Sequence, residues 1–413
     1  MKFIRAPVAI LILLTALNLL NYMDRLVVAA VLTQIQDGLN MHSDRDAGLL
    51  ATIFLIGYFA TSPIFGHLAD RGKRTGLIAI GIAVWSLATI ASGLAHDKTS
   101  LFIARAFVGV GEASYATIAP TIIDDLAPAE KKGKWLAVFY SAIPIGSALG
   151  YVIGGKVGHL YGWNAAFFVA GAPGLVLAFL TLFMQEPERK TATAKENPWH
   201  AIRSLLPYKI YWRSVFGYAA FTFAMGGFAF WAPKYLIKTY ALDLDTANGT
   251  FGKITVVTGF IGAFVGGWLG DRAAKKDRGG ATPNENAALG YLRVCAWTAL
   301  AGAPLALFAI LSLTPSGFFR WTFPAEIALF MSSSPINAVI LRSVPEERRA
   351  SAMAVSIFAI HLLGDMWSPP IIGKISDMTK SMPTAMLLIP VAFVISGAFW
   401  WMRKAPARLM TTS

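Results

Sequence analysis

Gly66-His67-Leu68-Ala69-Asp70-Arg71, followed at once by Gly72-Lys73-Arg74, closes a long apolar run. The same G-x-L-x-D-R pattern returns as Gly267-Trp268-Leu269-Gly270-Asp271-Arg272, again after an apolar run and again ahead of a basic pair, Lys275-Lys276. The two copies stand about half the 413-residue chain apart. A short charged turn duplicated between hydrophobic helices implies two homologous membrane halves, the arrangement of parallel-repeat transporters.

Composition agrees with a membrane chain. It is 55% hydrophobic and 14% charged, against about 25% charged in ordinary soluble domains. The formal net charge of +13 suggests nucleic acid as a partner, but Lys and Arg gather in alternate inter-helix loops, which is a membrane orientation signal. No nucleic-acid partner is expected. The lone cysteine, Cys295, excludes an internal disulfide and leaves no Cys-based metal site. Neither a metal nor a cofactor is expected.

Lys2 and Arg5 ahead of the apolar stretch from Pro7 to Leu20 fit the start of a signal peptide. The apolar character resumes from Leu26 to Leu32, past Asn21-Tyr22-Met23-Asp24-Arg25, with no convincing small-x-small cleavage site between. A first spanning helix with a polar middle is the better reading.

A span needs roughly 20 residues to cross roughly 30 Å of hydrocarbon. On that basis the first half holds candidates over about 7–34, 47–69, 76–95, 101–125, 133–158 and 164–184. The second half holds them over about 209–239, 249–270, 287–312, 321–343, 350–377 and 383–403. The fold class is therefore an all-α polytopic membrane protein with twelve transmembrane helices in two pseudo-symmetric six-helix bundles. Residues 1–184 form the first bundle, 185–208 a cytoplasmic linker and 209–413 the second bundle. A short surface helix is expected in the linker near Trp199 to Leu206.

Basic residues fall on one side: Lys2 and Arg5, Arg71 to Arg74, Lys131 to Lys134, Arg189 to Arg203, Arg272 to Arg278, Arg348 and Arg349, and Arg403 to Arg408. The opposite loops offer Arg45, Lys98, Lys238, Arg320 and Lys380. This asymmetry places both termini and the linker in the cytoplasm. The expected location is the inner, or plasma, membrane of a bacterium. Ends of the fifth and eleventh spans, Gly155-Lys156-Val157-Gly158 and Gly373-Lys374-Ile375-Ser376-Asp377, echo the duplicated turn. Nested inverted repeats and chance both account for that echo.

A charge at a helix centre costs about 2.5–3.5 kcal/mol on insertion scales, so charges within spans point to function. Asp24 and Arg25 stand midway along the first span, and Arg105 and Glu112 lie in the fourth. Arg105 and Glu112 share nearly one helix face, about 10 Å apart along the axis. One reading is a proton site, in which an Arg moves relative to a buried carboxyl. The other is a structural charge cluster that fixes helix register, the role favoured for Arg25. His361 and Asp365, four apart on the eleventh span, suit either a substrate or proton role or an interhelical hydrogen bond. Glu326 in the tenth span is a weaker version of the same case.

Proline interrupts several spans, and Gly146, Gly150 and Gly154 form a close-packing stripe on the fifth. Gly109-Val110-Gly111-Glu112-Ala113-Ser114 lacks the strand–turn–helix setting of a dinucleotide fingerprint. No phosphate loop, H-E-x-x-H or G-x-S-x-G occurs, so the chain does not read as an enzyme. Asn248-Gly249-Thr250 is a glycosylation sequon assigned to an outer loop.

These features resemble the major facilitator superfamily across essentially the whole chain. Within it, Asn18-Leu19-Leu20-Asn21-Tyr22-Met23-Asp24-Arg25 and Arg105-Ala106-Phe107-Val108-Gly109-Val110-Gly111-Glu112-Ala113-Ser114-Tyr115 look like Spinster-family signatures. Ala119-Pro120-Thr121, Phe139 to Ser147, His361 to Asp365 and Ser368-Pro369 continue the likeness. The resemblance implies lipid transport, of lysophospholipids or sphingosine-1-phosphate in animals, by alternating access. It implies that Asp24 and Glu112 take up protons and that Arg105 regulates Glu112. It also implies that Asp70 lies near the amino end of the eleventh helix, around Ala350 and Ser351. Arg71 or Arg74 would then meet Asp124 or Asp125 as a gate latch, with Asp271 and Arg272 as the second copy.

The expected function is proton-coupled secondary transport of an amphiphilic lipid by a monomer embedded in membrane lipid. Tyr58, Tyr115, Phe228, Trp231, His361 and Asp365 are the substrate-contact candidates, with Phe54, Phe221, Phe358 and Trp367 behind them. A facilitator of small organic anions or drugs is the competing transporter reading, and a non-transporting membrane sensor the alternative from another class.

Overall fold

The computed structural model describes residues 4–188, 198–277 and 282–401. Twelve helices are long and apolar enough to cross a membrane. They are α1 Pro7–Ala30, α2 Asp44–Arg71, α3 Arg74–Gly93, α4 Lys98–Leu126, α5 Lys132–Tyr161 and α6 Trp163–Leu182, then α7 Lys209–Tyr240, α8 Leu244–Lys276, α9 Pro283–Ile310, α10 Pro315–Arg342, α11 Ser351–Thr379 and α12 Met382–Trp400. The linker helix expected near Trp199 runs over Pro198–Leu205. Lys2, Arg403, Lys404 and Arg408, the stretch 189–197 and Arg278 lie outside the described residues.

Why helices and nothing else follows from the solvent. In hydrocarbon every backbone N–H and C=O needs an internal partner, and only a helix supplies one within a single segment. Among the described residues the one β feature is an isolated bridge between Ile4 and Met184. Helix ends carry their own caps: the Ser43 side chain accepts from the Asp46 amide, Thr314 from Gly317 and Ser381 from Thr384. Asp97 and Ser100 form a reciprocal capping box at the start of α4. Between α5 and α6 the chain turns through Gly162 at φ +84°, a backbone region L side chains rarely enter. Ile12, Ile80, Val176, Phe264 and Val391 are exposed on the helices, an outward apolar coat suited to lipid.

By contact the chain divides into two compact units. One comprises Met1–Thr193 with Ala232–Lys253, the other Ala194–Trp231 with Ile254–Ser413. The first six helices thus share their unit with the end of α7 and the start of α8.

Within the first unit the main packed pairs are α1 with α5, α2 with α4, α3 with α4 and α3 with α6. Glycine sets their separation. A Cβ on Gly146 would stand 2.4 Å from the Leu19 carbonyl oxygen, and one on Gly150 2.5 Å from that of Met23. The predicted stripe on α5 is therefore the seam that carries α1. On the α2–α4 crossing a Cβ at Gly109 would sit 2.0 Å from the Phe54 carbonyl oxygen. Gly109→Ala is accordingly expected to lower stability by about 1–3 kcal/mol through overpacking, measurable as a lower thermal midpoint in detergent.

The second unit repeats this plan. α9 packs on α12 and on α10 as α3 packs on α6 and α4. Gly262 and Gly266 of α8 press on Ile327, Phe330 and Met331 of α10 as Gly57 of α2 presses on Ala106 of α4. The duplication read from one charged turn thus extends to the packing.

Candidate functional site: a buried charge cluster

Five residues from three helices converge inside the first unit. α1 contributes Asp24 and Arg25, α3 contributes Thr89, and α4 contributes Arg105 and Glu112. Asp24, Arg105 and Glu112 are almost wholly buried, at 1%, 2% and 0% exposure. Gly111 of α4, where an added Cβ would press on the backbone of Gly81 and Trp85, lets α3 and α4 approach closely beside the cluster.

The charges pair crosswise. Arg25 Nε donates to Glu112 Oε2 at 2.7 Å. Arg105 Nη1 faces Asp24 Oδ1 at 3.7 Å, while Thr89 Oγ1 donates to Asp24 Oδ2 at 2.7 Å. So Arg25 is the direct partner of Glu112, and Arg105 stands against Asp24. The sequence places Arg105 and Glu112 in one polar cavity without a tight pair, the family resemblance makes Arg105 the regulator of Glu112, and Arg25 is given a structural role. Helix α1 turns consecutive side chains about 100° apart, which sends Asp24 toward α3 and Arg25 toward Glu112. The Phe54 ring lies between the two guanidinium groups, 5.0 Å from Arg25 and 5.3 Å from Arg105. Tyr22 and Tyr58 flank Arg25 at 4.9 and 5.6 Å, so Tyr58 joins the cluster. Thr89 carried no signal in the sequence beyond being polar in a span.

The hydrogen-bond inventory is incomplete at one oxygen of each acid. Asp24 Oδ1, Glu112 Oε1 and Arg105 Nε have no hydrogen-bond partner in the protein. A carboxyl oxygen that accepts no hydrogen bond is where a proton can bind. Once it does, the acid is neutral and its Arg is released from an ion pair.

At the basic end of this unit Arg74 is the hub. It is 5% exposed and pairs with Asp125 at 2.6 Å and with Glu186 at 3.1 Å, and its Nη2 donates to the Pro187 carbonyl. Glu186 also accepts from the Thr75 amide and hydroxyl. The first linker residues are thereby fastened to the start of α3. Burial alone would push the Glu186 carboxyl up; hydrogen bonds from Thr75 and Arg74 overcome that and hold it below its ordinary range. Of the expected latch, Arg74 meets Asp125. Asp124, one residue earlier and so about 100° round the helix from Asp125, instead bonds Lys132 at 2.7 Å. Asp70 and Arg71 are exposed, and Arg71 forms no ion pair among the described residues.

At the opposite end, Lys234 of α7 reaches Asp44 and the Gln36 side-chain oxygen. Gln36 also donates to Asp44 at 3.1 Å. Asn248 Nδ2 donates to the Ala30 carbonyl at 3.0 Å and is fully buried. The sequon is therefore inside α8, not in an outer loop, and its nitrogen is committed to packing. Nothing in the sequence linked Lys234 to Asp44, since the pair spans both halves. Lys234→Ala removes the Lys234 ammonium from Asp44 and Gln36. Backbone amides of residues 232–240 are expected to exchange hydrogen about tenfold faster or more, which mass spectrometry reads directly.

The second unit holds the remaining candidates. His361 Nδ1 and Asp365 Oδ1 are 2.8 Å apart across a π-helical turn, His361–Asp365. Such turns occur often at functional sites. Here Gly364 abuts Thr222, and Thr222 donates to the Ile360 carbonyl at 2.8 Å. Asp271 accepts from Tyr291 at 2.6 Å and Arg272 lies 4.0 Å over the Trp268 ring. Phe228 is half-buried against Phe318. Tyr115 and Trp231 are buried instead of lining a surface: their polar tips donate to the carbonyls of Leu14 and Pro369, and their rings fill helix seams. Phe54 and Phe221 are likewise buried, whereas Phe358 and Trp367 are exposed.

Comparison with known proteins places this geometry. Residues 14–369 match the Major Facilitator Superfamily model. The chain is 34% identical over 375 residues to Protein spinster of Drosophila melanogaster, covering 87% of this chain and 60% of that protein's length. It is 30% identical over 452 residues to the probable sphingolipid transporter spinster homolog 3 of Arabidopsis thaliana, covering 97% of this chain and 85% of the relative. Among solved structures it resembles a bacterial homologue of the human lysosomal transporter Spinster in an inward-facing, unoccupied conformation. That likeness has a TM-score of 0.82 at 21% identity, over 95% of this chain and 96% of the other. Twelve spans, duplicated packing and these matches make the chain an integral membrane transporter of the Spinster family within the major facilitator superfamily.

Proposed function

We propose that this transporter is proton-coupled, works by alternating access and carries an amphiphilic lipid of lysophospholipid or sphingolipid type. The observation that carries the reading is the pair of buried acids, Asp24 and Glu112. Each is balanced by one Arg, and each keeps one oxygen without a hydrogen-bond partner. Proton binding there would exchange an ion pair for a neutral acid and a free guanidinium able to meet an anionic headgroup. A proton crossing 100 mV supplies about 2.3 kcal/mol. The plant relative's description as a probable sphingolipid transporter supports the cargo class. Tyr58, Phe228, His361 and Asp365 are the proposed substrate contacts, backed by Tyr115 and Trp231. Arg74 with Asp125 is the proposed gate latch, with Asp70, Arg71, Asp271 and Arg272 beside it. The positive-inside pattern supports cytoplasmic termini; a monomer in a bacterial inner membrane completes the proposed reading.

The experiment is a flux screen in proteoliposomes with a pH gradient imposed in either direction. Lysophospholipid or sphingolipid movement that follows the gradient is the expected result. Flux of small organic acids with no competition from lipids would replace the cargo class.

A further inference from the structure

Outside the cluster of α1 and α4, one carboxyl stands alone inside the bundle of the second unit. Glu326 of α10 is 3% exposed. Among the described residues it forms no ion pair; its partners are two threonines of α8. Thr255 Oγ1 lies 3.1 Å from Glu326 Oε1, and Thr258 Oγ1 lies 2.7 Å from Oε2. Gly262 beside them holds α8 against Ile327 and Phe330 of α10 too closely for an intervening side chain.

The hydrogens of this cluster can be shared out around a neutral acid. Thr258 Oγ1 also stands 2.8 Å from the Ile254 carbonyl oxygen, four residues back on its own helix. A hydroxyl has one hydrogen and that carbonyl can only accept. If Thr258 gives its hydrogen to Ile254, the contact with Glu326 needs a hydrogen from the acid. A neutral Glu326 satisfies every atom: Oε2–H donates to Thr258, Thr258 donates to Ile254, and Thr255 donates to Oε1. An ionised Glu326 would instead be a buried charge facing two hydroxyls with no cation paired to it, an arrangement that burial disfavours.

Among the described residues no cation pairs with Glu326, and from α8 the two threonines are what reach the acid. Lys253 is exposed two residues before Thr255, and forms no ion pair among the described residues. On α9 the nearest titratable group is Cys295, which lies against the Ser332 carbonyl well along α10. On α7 Phe228 meets Phe318, two turns from Glu326. Arg320, on α10 itself, lies toward the helix start. Counted from the first residue of each helix, Glu326 stands within about one turn, ~5.4 Å, of the depth Glu112 has on α4. The two helices occupy equivalent places in the duplicated packing.

We infer that Glu326 is a second proton-binding site, a neutral carboxylic acid at rest whose proton exchanges with water past the half-exposed Thr255. Its part in the transport cycle rests on the proton-coupled reading above; its occupancy does not. The test is infrared spectroscopy of the full chain in lipid, reading the C=O stretch of protonated carboxyls at neutral pH. Glu326→Gln is expected to fold, since an amide can donate to Thr258 and accept from Thr255. It should remove one such band. Thr258→Val should shift that band without removing it, and D2O should shift it in the wild type. An unchanged acid band in Glu326→Gln, with intensity lost from the carboxylate region instead, would overturn the site. A band that is lost in the variant yet never shifts in D2O would show a sealed structural acid and also overturn it. Neither outcome depends on flux, so failure of proton coupling at Asp24 and Glu112 is read separately.

Discussion

Glu112→Gln is expected to abolish gradient-driven transport, at least about tenfold below wild type, while the protein still folds and still exchanges substrate without a gradient. The glutamine oxygen can accept from Arg25 Nε as Glu112 Oε2 does at 2.7 Å, so the α1–α4 contact survives. Arg25 keeps the rings of Tyr22, Phe54 and Tyr58 around it, each such contact being worth about 0.5–2 kcal/mol. What the substitution removes is the second oxygen, Oε1, that has no hydrogen-bond partner, and with it the capacity to take a proton. Parallel measurements of net uptake and of exchange in proteoliposomes separate the two effects. Equal loss in both would mean the residue binds cargo or holds the fold, not a proton.

The second large effect belongs to Arg74→Ala, and it is on stability. Arg74 is buried and neutralises Asp125, itself 8% exposed, while also binding Glu186 and the Pro187 carbonyl. Removing one partner of a buried pair leaves an uncompensated charge and costs about 3–5 kcal/mol. The thermal midpoint in detergent is expected to fall sharply, and protease sensitivity near Glu186 to rise. The same junction gives a pH dependence. Because the folded Glu186 carboxyl is held below its ordinary value, about 4.3 in a free chain, its contribution is complete above that value. It is lost as pH falls through the lowered folded value. Glu186→Gln should flatten that acid limb of the stability curve.

Legibility differed by kind of interaction. Spans were readable because a membrane helix must be apolar for roughly 20 residues, and α3, α4 and α6 fall within a few residues of where that rule places them. The start of α8 was placed too late, at 249 instead of Leu244, because Asp245, Thr246 and Asn248 look like loop. Asn248 is helical because its amide is spent on Ala30 and Leu244. Asp24, Arg25, Arg105 and Glu112 stood out as charges in hydrocarbon. Which Arg meets which acid did not, since that depends on the rotation of α1 against α4. Lys234–Asp44 and Arg74–Glu186 were invisible for a related reason: each joins segments far apart in sequence, at helix ends where charges are ordinary. Tyr115 and Trp231 show the limit for aromatics, whose role in a seam or on a surface is decided by neighbours alone.

The most direct test of the central claim is the proton itself. Wild-type protein is reconstituted with a pH-sensitive dye inside the vesicles, and lysophospholipid or sphingolipid is added outside at equal pH. Substrate-dependent acidification or alkalinisation that stops in Glu112→Gln is the predicted result. Lipid flux at wild-type rate with no movement of protons would contradict it.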